Sequence, residues 1–201
     1  MRPRGLELSG EKTMMTSIHD GFTFLGQTFR KVGKVLHIKP AKEGVHALLG
    51  KIAELLRRNR TAPMEKLIKK LNEMLRGWAL YHRHVVASEA FGRVDTYVYE
   101  QLWRFLRRKH PEKSKKWLGR KYWSATRNPN VFGVRSKYKT KTFLLTVLRV
   151  TSIGIKRHIK IRAEANPYRP EDARYFWRRR QPGAKFMSGL SARAVRAMAT
   201  A

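Results

Sequence analysis

Between residues 42 and 109 the apolar side chains recur at steps of three and four, the spacing of one face of an α-helix. Val45, Leu48, Leu49, Ile52, Leu55 and Leu56 predict a first helix over residues 42–58. Arg57, Arg58 and Arg60 crowd its C-terminal end, where cations favour the helix dipole. Met64, Leu67, Ile68, Leu71, Leu75 and Trp78 predict a second helix, opened by Thr61-Ala-Pro63 with Thr61 as its cap. Gly77 sits inside that stripe at a cost relative to alanine, which predicts the close approach of another backbone there. Phe91, Val94, Val98, Leu102 and Phe105 predict a third helix, capped by Ser88 and running to about Lys109, with Tyr97, Trp103 and Leu106 flanking the stripe. A short basic helix over residues 114–122 follows, with Trp117 as its anchor.

Outside this region the period shortens. Gly21-Phe-Thr-Phe-Leu-Gly-Gln-Thr-Phe29 puts Phe22, Phe24 and Gly26 on one face of a strand, and Thr23, Leu25 and Gln27 on the other. With a turn over residues 31–34 and a strand over 35–39, stopped by Pro40, it predicts a β-hairpin. Downstream, residues 131–134 and 143–150 are β-branched and aromatic, and residues 135–141 between them form a basic loop or edge. Residues 153–161 alternate isoleucines imperfectly with Lys156, Arg157, His158 and Lys160. Residues 166–170 read as a turn-rich linker, and residues 175–180 as a short aromatic-basic element.

The expected fold is therefore mainly α with a small α+β component. It divides into a lead-in and β-hairpin over residues 1–40, a three-to-four-helix bundle over 41–125, a small basic β-rich appendage over 126–180, and a disordered tail over 181–201. No internal repeat is visible.

Charge narrows the function. The chain has 201 residues with 45 Lys and Arg against 14 Asp and Glu, a formal net charge of +31. Self-repulsion on that scale opposes compaction unless a polyanion is present. The basic residues are interleaved with Trp, Tyr and Phe, which favours nucleic acid over an anionic membrane. There is no cysteine, which excludes disulfides, thiolate catalysis and thiolate zinc sites, and fits a reducing compartment. No apolar run approaches the ~18 residues of a membrane span, so the chain is expected to be soluble, cytoplasmic and ribonucleoprotein-associated.

Catalytic chemistry finds little support. The three aspartates, Asp20, Asp95 and Asp172, are far apart, whereas two-metal nucleotidyl transfer or nuclease chemistry needs clustered carboxylates. The one acidic pair, Glu171-Asp172, reads as charge at a helix N-terminus. His82 and His84, two residues apart on a helix or its frayed end, point in different directions and have no acidic or thiolate neighbour. They read as packing or phosphate-contacting groups. No catalytic residue, metal site or cofactor is predicted.

The candidate residues are instead cationic. On the helices these are Arg57, Arg58, Arg76, Arg83, Arg104, Arg107, Arg108, Lys115, Lys116 and Lys121, with Tyr81 as a stacking group. A second set, Lys137, Tyr138, Lys139, Lys141, Arg157 and Lys160, could meet RNA or DNA. Trp78 and Trp103, at helical spacing, read as core.

Arg76-Gly-Trp-Ala-Leu-Tyr-His-Arg83 resembles the signature of the maturase-specific domain of group II intron reverse transcriptases. The resemblance continues through Leu102-Trp103, Arg108-Lys109-His110-Pro111, Lys113-Ser114, Trp117, Lys121-Tyr122 and Val131-Phe132-Gly133. It extends to Ile155-Lys-Arg-His-Ile-Lys160, Ala165-Asn-Pro-Tyr-Arg-Pro-Glu171 and Tyr175-Phe176. Upstream, Gly5-Leu-Glu-Leu-Ser9, Glu11-Lys-Thr13 and Gly21-Phe-Thr-Phe-Leu-Gly26 look like the last blocks of the polymerase palm. The resemblance implies a thumb of mainly parallel helices that binds intron RNA and helps it reach its splicing-active form, followed by a DNA-binding segment. This sequence departs from the family pattern twice: it lacks the palm block with paired aspartates, and it lacks the cysteine-containing endonuclease. Two functions then compete. One is an RNA-binding maturase with no catalytic centre of its own, assisting a ribozyme. The other is an inactive or trans-dependent C-terminal fragment of an RNA-directed DNA polymerase, working with a palm-containing partner. A decayed product with a marginal fold is a third expectation.

Overall fold

The computed structural model describes residues 15–123, 131–138, 141–156 and 161–180, apart from the side chains of Tyr138 and Lys141. The chain divides into two units, Met1–Arg157 and His158–Ala201. The predicted disordered tail over 181–201 and the palm-like blocks before residue 15 lie outside the described residues.

The N-terminal sheet is a three-stranded antiparallel meander, β1 (Phe22–Phe24), β2 (Gln27–Val32) and β3 (Val35–Pro40), in the order β1-β2-β3. The single strand expected over residues 21–29 is thus two strands. Leu25 and Gly26 adopt φ of 48° and 70°, the paired positive values of a two-residue hairpin turn. The turn sets Phe22 opposite Phe29, with their rings stacked 5.3 Å apart, and Thr23 opposite Thr28. Such cross-strand pairs are the unit of sheet stability, and they outweigh the cost of a leucine at positive φ. Gly33, φ 57°, turns β2 into β3, and the Ala41 amide donates to the Gly26 carbonyl at 2.9 Å, tying the sheet to the first helix.

Helix α1 (Lys42–Arg58) has the predicted limits and buries Val45, Leu48, Ile52 and Leu56. Helix α2 (Met64–His82) buries Met64, Leu67, Ile68, Leu71, Leu75, Ala79 and His82. Helix α3 (Ser88–Lys109) buries Phe91, Val94, Val98, Leu102, Phe105 and Leu106. Each apolar stripe read from periodicity is therefore a core face. The caps differ from expectation. Pro63 and Ala87 occupy the cap positions of α2 and α3 with no side-chain cap hydrogen bond, which places Thr61 outside the helix and Ser88 inside it. Helix α4 (Lys115–Tyr122) is capped by Ser114, whose hydroxyl accepts from the Trp117 amide at 3.3 Å. Leu118 and Tyr122, rather than the partly buried Trp117, anchor it.

Helices α1 and α3 run in the same direction. Val45 lies near Ala90 and Arg93 at one end, and Leu56 lies near Phe105 and Arg108 at the other. A second sheet, the hairpin β4 (Gly133–Tyr138) and β5 (Lys141–Thr146), follows. Residues 135–138, expected to be loop or edge, are strand. A Cβ at Gly133 would meet Thr146 Cγ2 at 3.2 Å and the Leu145 carbonyl at 3.3 Å, so the hairpin closes over a glycine.

The core crosses the division expected near residue 125. Phe132, Val134, Val147 and Val150 belong to the same buried cluster as the helices. Two polar residues fasten this segment. Asn72 of α2 donates to the Thr146 carbonyl at 2.8 Å and accepts from the Leu148 amide at 2.7 Å. Asp95 of α3 accepts from the Val150 amide at 2.6 Å, and from the Thr151 amide at 3.1 Å and its hydroxyl at 2.6 Å. These bonds hold a 3-10 turn at Val150–Ser152, where the sequence had suggested further strand. Residues 153–156 form no strand either, and 157–160 lie outside the described residues.

In the second unit, a 3-10 turn at Pro170–Asp172 leads into α5 (Ala173–Arg180), the expected aromatic-basic element. Asp172 accepts from the Asn166 amide at 2.9 Å, and the Arg162 and Arg179 guanidiniums lie over the Tyr175 ring at 4.8 and 5.6 Å. The architecture is mainly α with a small α+β component.

Candidate nucleic-acid interface

Because the apolar stripes of α1, α2 and α3 turn inward, their basic residues are forced outward. Arg57, Arg58, Arg76, Arg104, Arg107, Arg108, Lys115, Lys116 and Lys121 are all exposed. Their surroundings differ. Arg58 pairs with Glu54 one turn earlier on α1. Such an exposed pair contributes little stability, but it partly neutralises this cation. Arg83 is half-buried at the C-terminal end of α2, and its carbonyl accepts from the Lys156 amide at 2.7 Å.

Arg57, Arg104 and Arg108 converge. Because α1 and α3 are parallel, their C-terminal ends lie side by side and enclose a cavity of ≈ 630 Å³. Arg60 and Lys109 join the three expected arginines around it; Ala53, Leu56 and Phe105 form an apolar floor; Thr61 and Gln101 complete the wall. No carboxylate among the described residues lines the cavity. Among the described residues none of the four arginines is ion-paired, while Lys109 donates to the Ala62 carbonyl at 2.8 Å. Arg60, Thr61, Gln101 and Lys109 were not among the candidate contacts read from sequence, where Arg60 was placed only at the end of the first helix and Thr61 only as a cap. Gln101, Arg104 and Arg108 do fall at three- and four-residue spacing, but their meeting with Arg57 and Arg60 depends on how α1 packs on α3. The negative ends of two helix dipoles offset part of the mutual repulsion; an anion would offset the rest.

A second concavity, of ≈ 470 Å³, lies between the N-terminal sheet and the starts of α1 and α3. It is lined by Arg30, His37, Lys39, Lys42 and Arg93, with Glu89 paired to Lys39 at 3.6 Å.

Around α4 the cations lie over aromatic rings. Lys115 is 5.7 Å from the Trp103 centroid, and Lys121 is 4.7 Å from Trp117 and 5.5 Å from Tyr122. Trp103 stacks on Trp123 at 4.1 Å, as its reading as a packing residue implies. The Tyr122 hydroxyl and His110 Nε2 are 2.8 Å apart. Burial and then Glu65 push the Tyr122 pKa up; burial, followed by Lys121, Lys109 and Lys113, pushes that of His110 down. Both shifts favour a neutral pair, in which the phenol can donate to the imidazole.

The 76–84 stretch is a junction. Trp78 is partly buried, with its ring 4.7 Å from His82 and 5.7 Å from Phe91. Gly77 has open space where a Cβ would sit, so no other backbone approaches it, contrary to expectation. Tyr81, read from sequence as a stacking group, donates its hydroxyl to the Leu25 carbonyl at 2.7 Å and braces α2 against the β1–β2 turn, while its ring remains exposed. His82 is buried, and burial first and then His84 lowers its pKa. The His84 ring bonds Gln27, a buried polar residue not foreseen, at 2.9 Å. The two histidines thus face different partners, and no group of three or more metal-ligating side chains occurs among the described residues.

Of the second candidate set, Lys137 is exposed on β4 and is not part of the α1–α3 groove. Tyr138 and Lys141 are described in backbone only, as strand-end partners, while Lys139, Arg157 and Lys160 lie outside the described residues. No helix among the described residues is long and apolar enough to cross a membrane.

Residues 45–123 match the family model of the group II intron, maturase-specific domain. The match covers nearly all of α1 and the whole of α2, α3 and α4. The motifs quoted above for residues 5–26 and 131–176 lie outside it. No curated protein matches the chain. The helical region is thus similar to the maturase-specific domain, and a group II intron maturase-related function is supported.

Proposed function

We propose that this chain, having a helical core similar to the maturase-specific domain, binds folded group II intron RNA and assists its splicing, with the ribozyme performing the chemistry. The observation that carries the reading is the rim of guanidiniums, Arg57, Arg60, Arg104 and Arg108, where α1 and α3 end together with no ion pair to them among the described residues. Guanidinium groups suit phosphate because their planar fork donates in pairs. Shape and backbone contacts, rather than base edges in a helical groove, are the usual means of recognising structured RNA. The β4–β5 segment, with Lys137 exposed, could extend the surface to RNA or target DNA.

Affinity for a transcribed intron is expected to fall steeply with salt. Six neutralised phosphates correspond to a loss of about 10³ between ~50 and ~200 mM. Splicing at low magnesium should speed up when the protein is added. Equal affinity across that salt range, or no effect on splicing, overturns the proposal.

A second reading rests on the N-terminal sheet, where Phe22, Phe24, Leu25 and Leu36 are exposed. A palm-containing reverse transcriptase fragment could cover that surface. Primer extension with such a fragment supplied in trans separates the readings: synthesis that depends on this chain favours the second.

A further inference from the structure

We infer that the groove between the C-terminal halves of α1 and α3 receives a single unstacked nucleotide, its phosphate on the guanidiniums and its base on the apolar floor. The inference rests on the RNA-binding reading and specifies what the groove takes.

A phosphodiester backbone alone needs only an exposed array of cations. Here the cations surround a concavity of ≈ 630 Å³ floored by Ala53, Leu56 and Phe105. That volume lies within the range of small-ligand sites. An apolar floor offers nothing to a phosphate, but it suits the face of a base taken out of its stack. Gln101 supplies an amide that can both donate to and accept from a base edge, and Thr61 a hydroxyl that can do the same. Among the described residues no carboxylate lines the groove, which disfavours an amine or a metal ion as the guest. Lys109 is held by the Ala62 carbonyl and lies over the Phe105 ring at 5.7 Å, fixing a cation at the Phe105 side of the floor and leaving Ala53 and Leu56 for the base. The ligand class is therefore an anionic group carrying a planar, hydrogen-bonding ring. In an RNA that class is met by a bulged or extruded nucleotide.

The test titrates the full chain with inorganic phosphate, with each of the four nucleoside 5′-monophosphates, and with two RNA hairpins differing by one bulged nucleotide. At least one monophosphate should bind saturably and about tenfold or more above phosphate, the scale of one base-stacking contact. The bulged hairpin should exceed the paired one by a similar factor. Gln101→Leu should narrow both gaps with the salt slope unchanged, and Arg104→Ala should weaken every ligand; circular dichroism confirms that both variants fold. Equal binding of phosphate and all monophosphates, or indifference to the bulge, overturns the inference. If intron RNA still binds with steep salt dependence, the maturase reading survives that failure. If mononucleotides bind and intron RNA does not, the maturase reading fails instead.

Discussion

Asp95→Ala should destabilise the protein by about 2–3 kcal/mol, although Asp95 touches none of the candidate phosphate contacts. Its carboxylate accepts three hydrogen bonds from Val150 and Thr151, and the Arg149 Nε lies 4.0 Å away. Val150 is fully buried, so truncation leaves its amide without water or partner, a cost of about 1–3 kcal/mol. Thr151 is exposed and its groups can turn to solvent, so their loss adds about 0.5 kcal/mol or less. For a chain of this length each kcal/mol lowers Tm by roughly 2–4 °C, giving a drop of about 5–10 °C in circular dichroism melts. Asp95→Asn keeps one oxygen for the Val150 amide and should lose about half as much. Hydrogen exchange localises the effect, since the Val150 and Thr151 amides should lose protection before those at the centre of α2. A loss below about 0.5 kcal/mol, the range of a featureless surface change, with Val150 protection intact, would refute the idea that this carboxylate fastens the segment after β5 to α3.

Three further outcomes follow from the same geometry. Gly77→Ala should stabilise the free protein by about 0.5–1 kcal/mol in denaturant melts, since a methyl there meets no neighbour and removes unfolded-state freedom; destabilisation would reveal a contact the open space does not suggest. Tyr81→Phe should lower stability by about 0.5–1 kcal/mol through its lost bond to the Leu25 carbonyl and, because the ring is kept, leave intron affinity within about twofold; a large loss of affinity with unchanged stability would show that the hydroxyl meets RNA instead of the Leu25 carbonyl. The folded-state pKa of His82 lies below its ordinary value, so the unfolded chain binds the proton more readily. Its contribution is complete above about pH 6.5 and is lost as pH falls toward the folded pKa, His110 acting in the same direction. His82→Phe should shrink the acid-side fall in Tm, and an unchanged fall would refute this assignment.

Local periodicity carried much of the architecture. The limits of α1 and the buried stripes of all three long helices follow from side-chain spacing, because helical burial is set over one or two turns. The aromatic-basic signature of residues 76–83 likewise identified the region that matches the maturase-specific domain. Residues that interact across distant elements were harder to read. Phe22, Phe24 and Gly26 fitted one strand by alternation, yet pairing with β2 and β3 made residues 25–26 a turn. Thr61 and Ser88 had suitable cap chemistry, but the chain enters α2 and α3 through Pro63 and Ala87. The bond from the Tyr81 hydroxyl to a carbonyl 56 residues away was likewise not legible in spacing, although its ring stays exposed.

The sequence by itself determined that this protein has amphipathic helices with apolar inner faces and an excess of cations left for solvent. Those properties depend only on spacing and composition. Which cations act together was decided by tertiary structure. A stripe says which side of a helix is buried, not what it packs against or in which direction. Only the parallel packing of α1 on α3 sets Arg57 and Arg60 beside Gln101, Arg104 and Arg108, and only the bonds from Asn72 and Asp95 draw the later segment into the same core. The groove arises from contacts between residues more than 40 positions apart, a distance at which neither helical nor strand periodicity carries information.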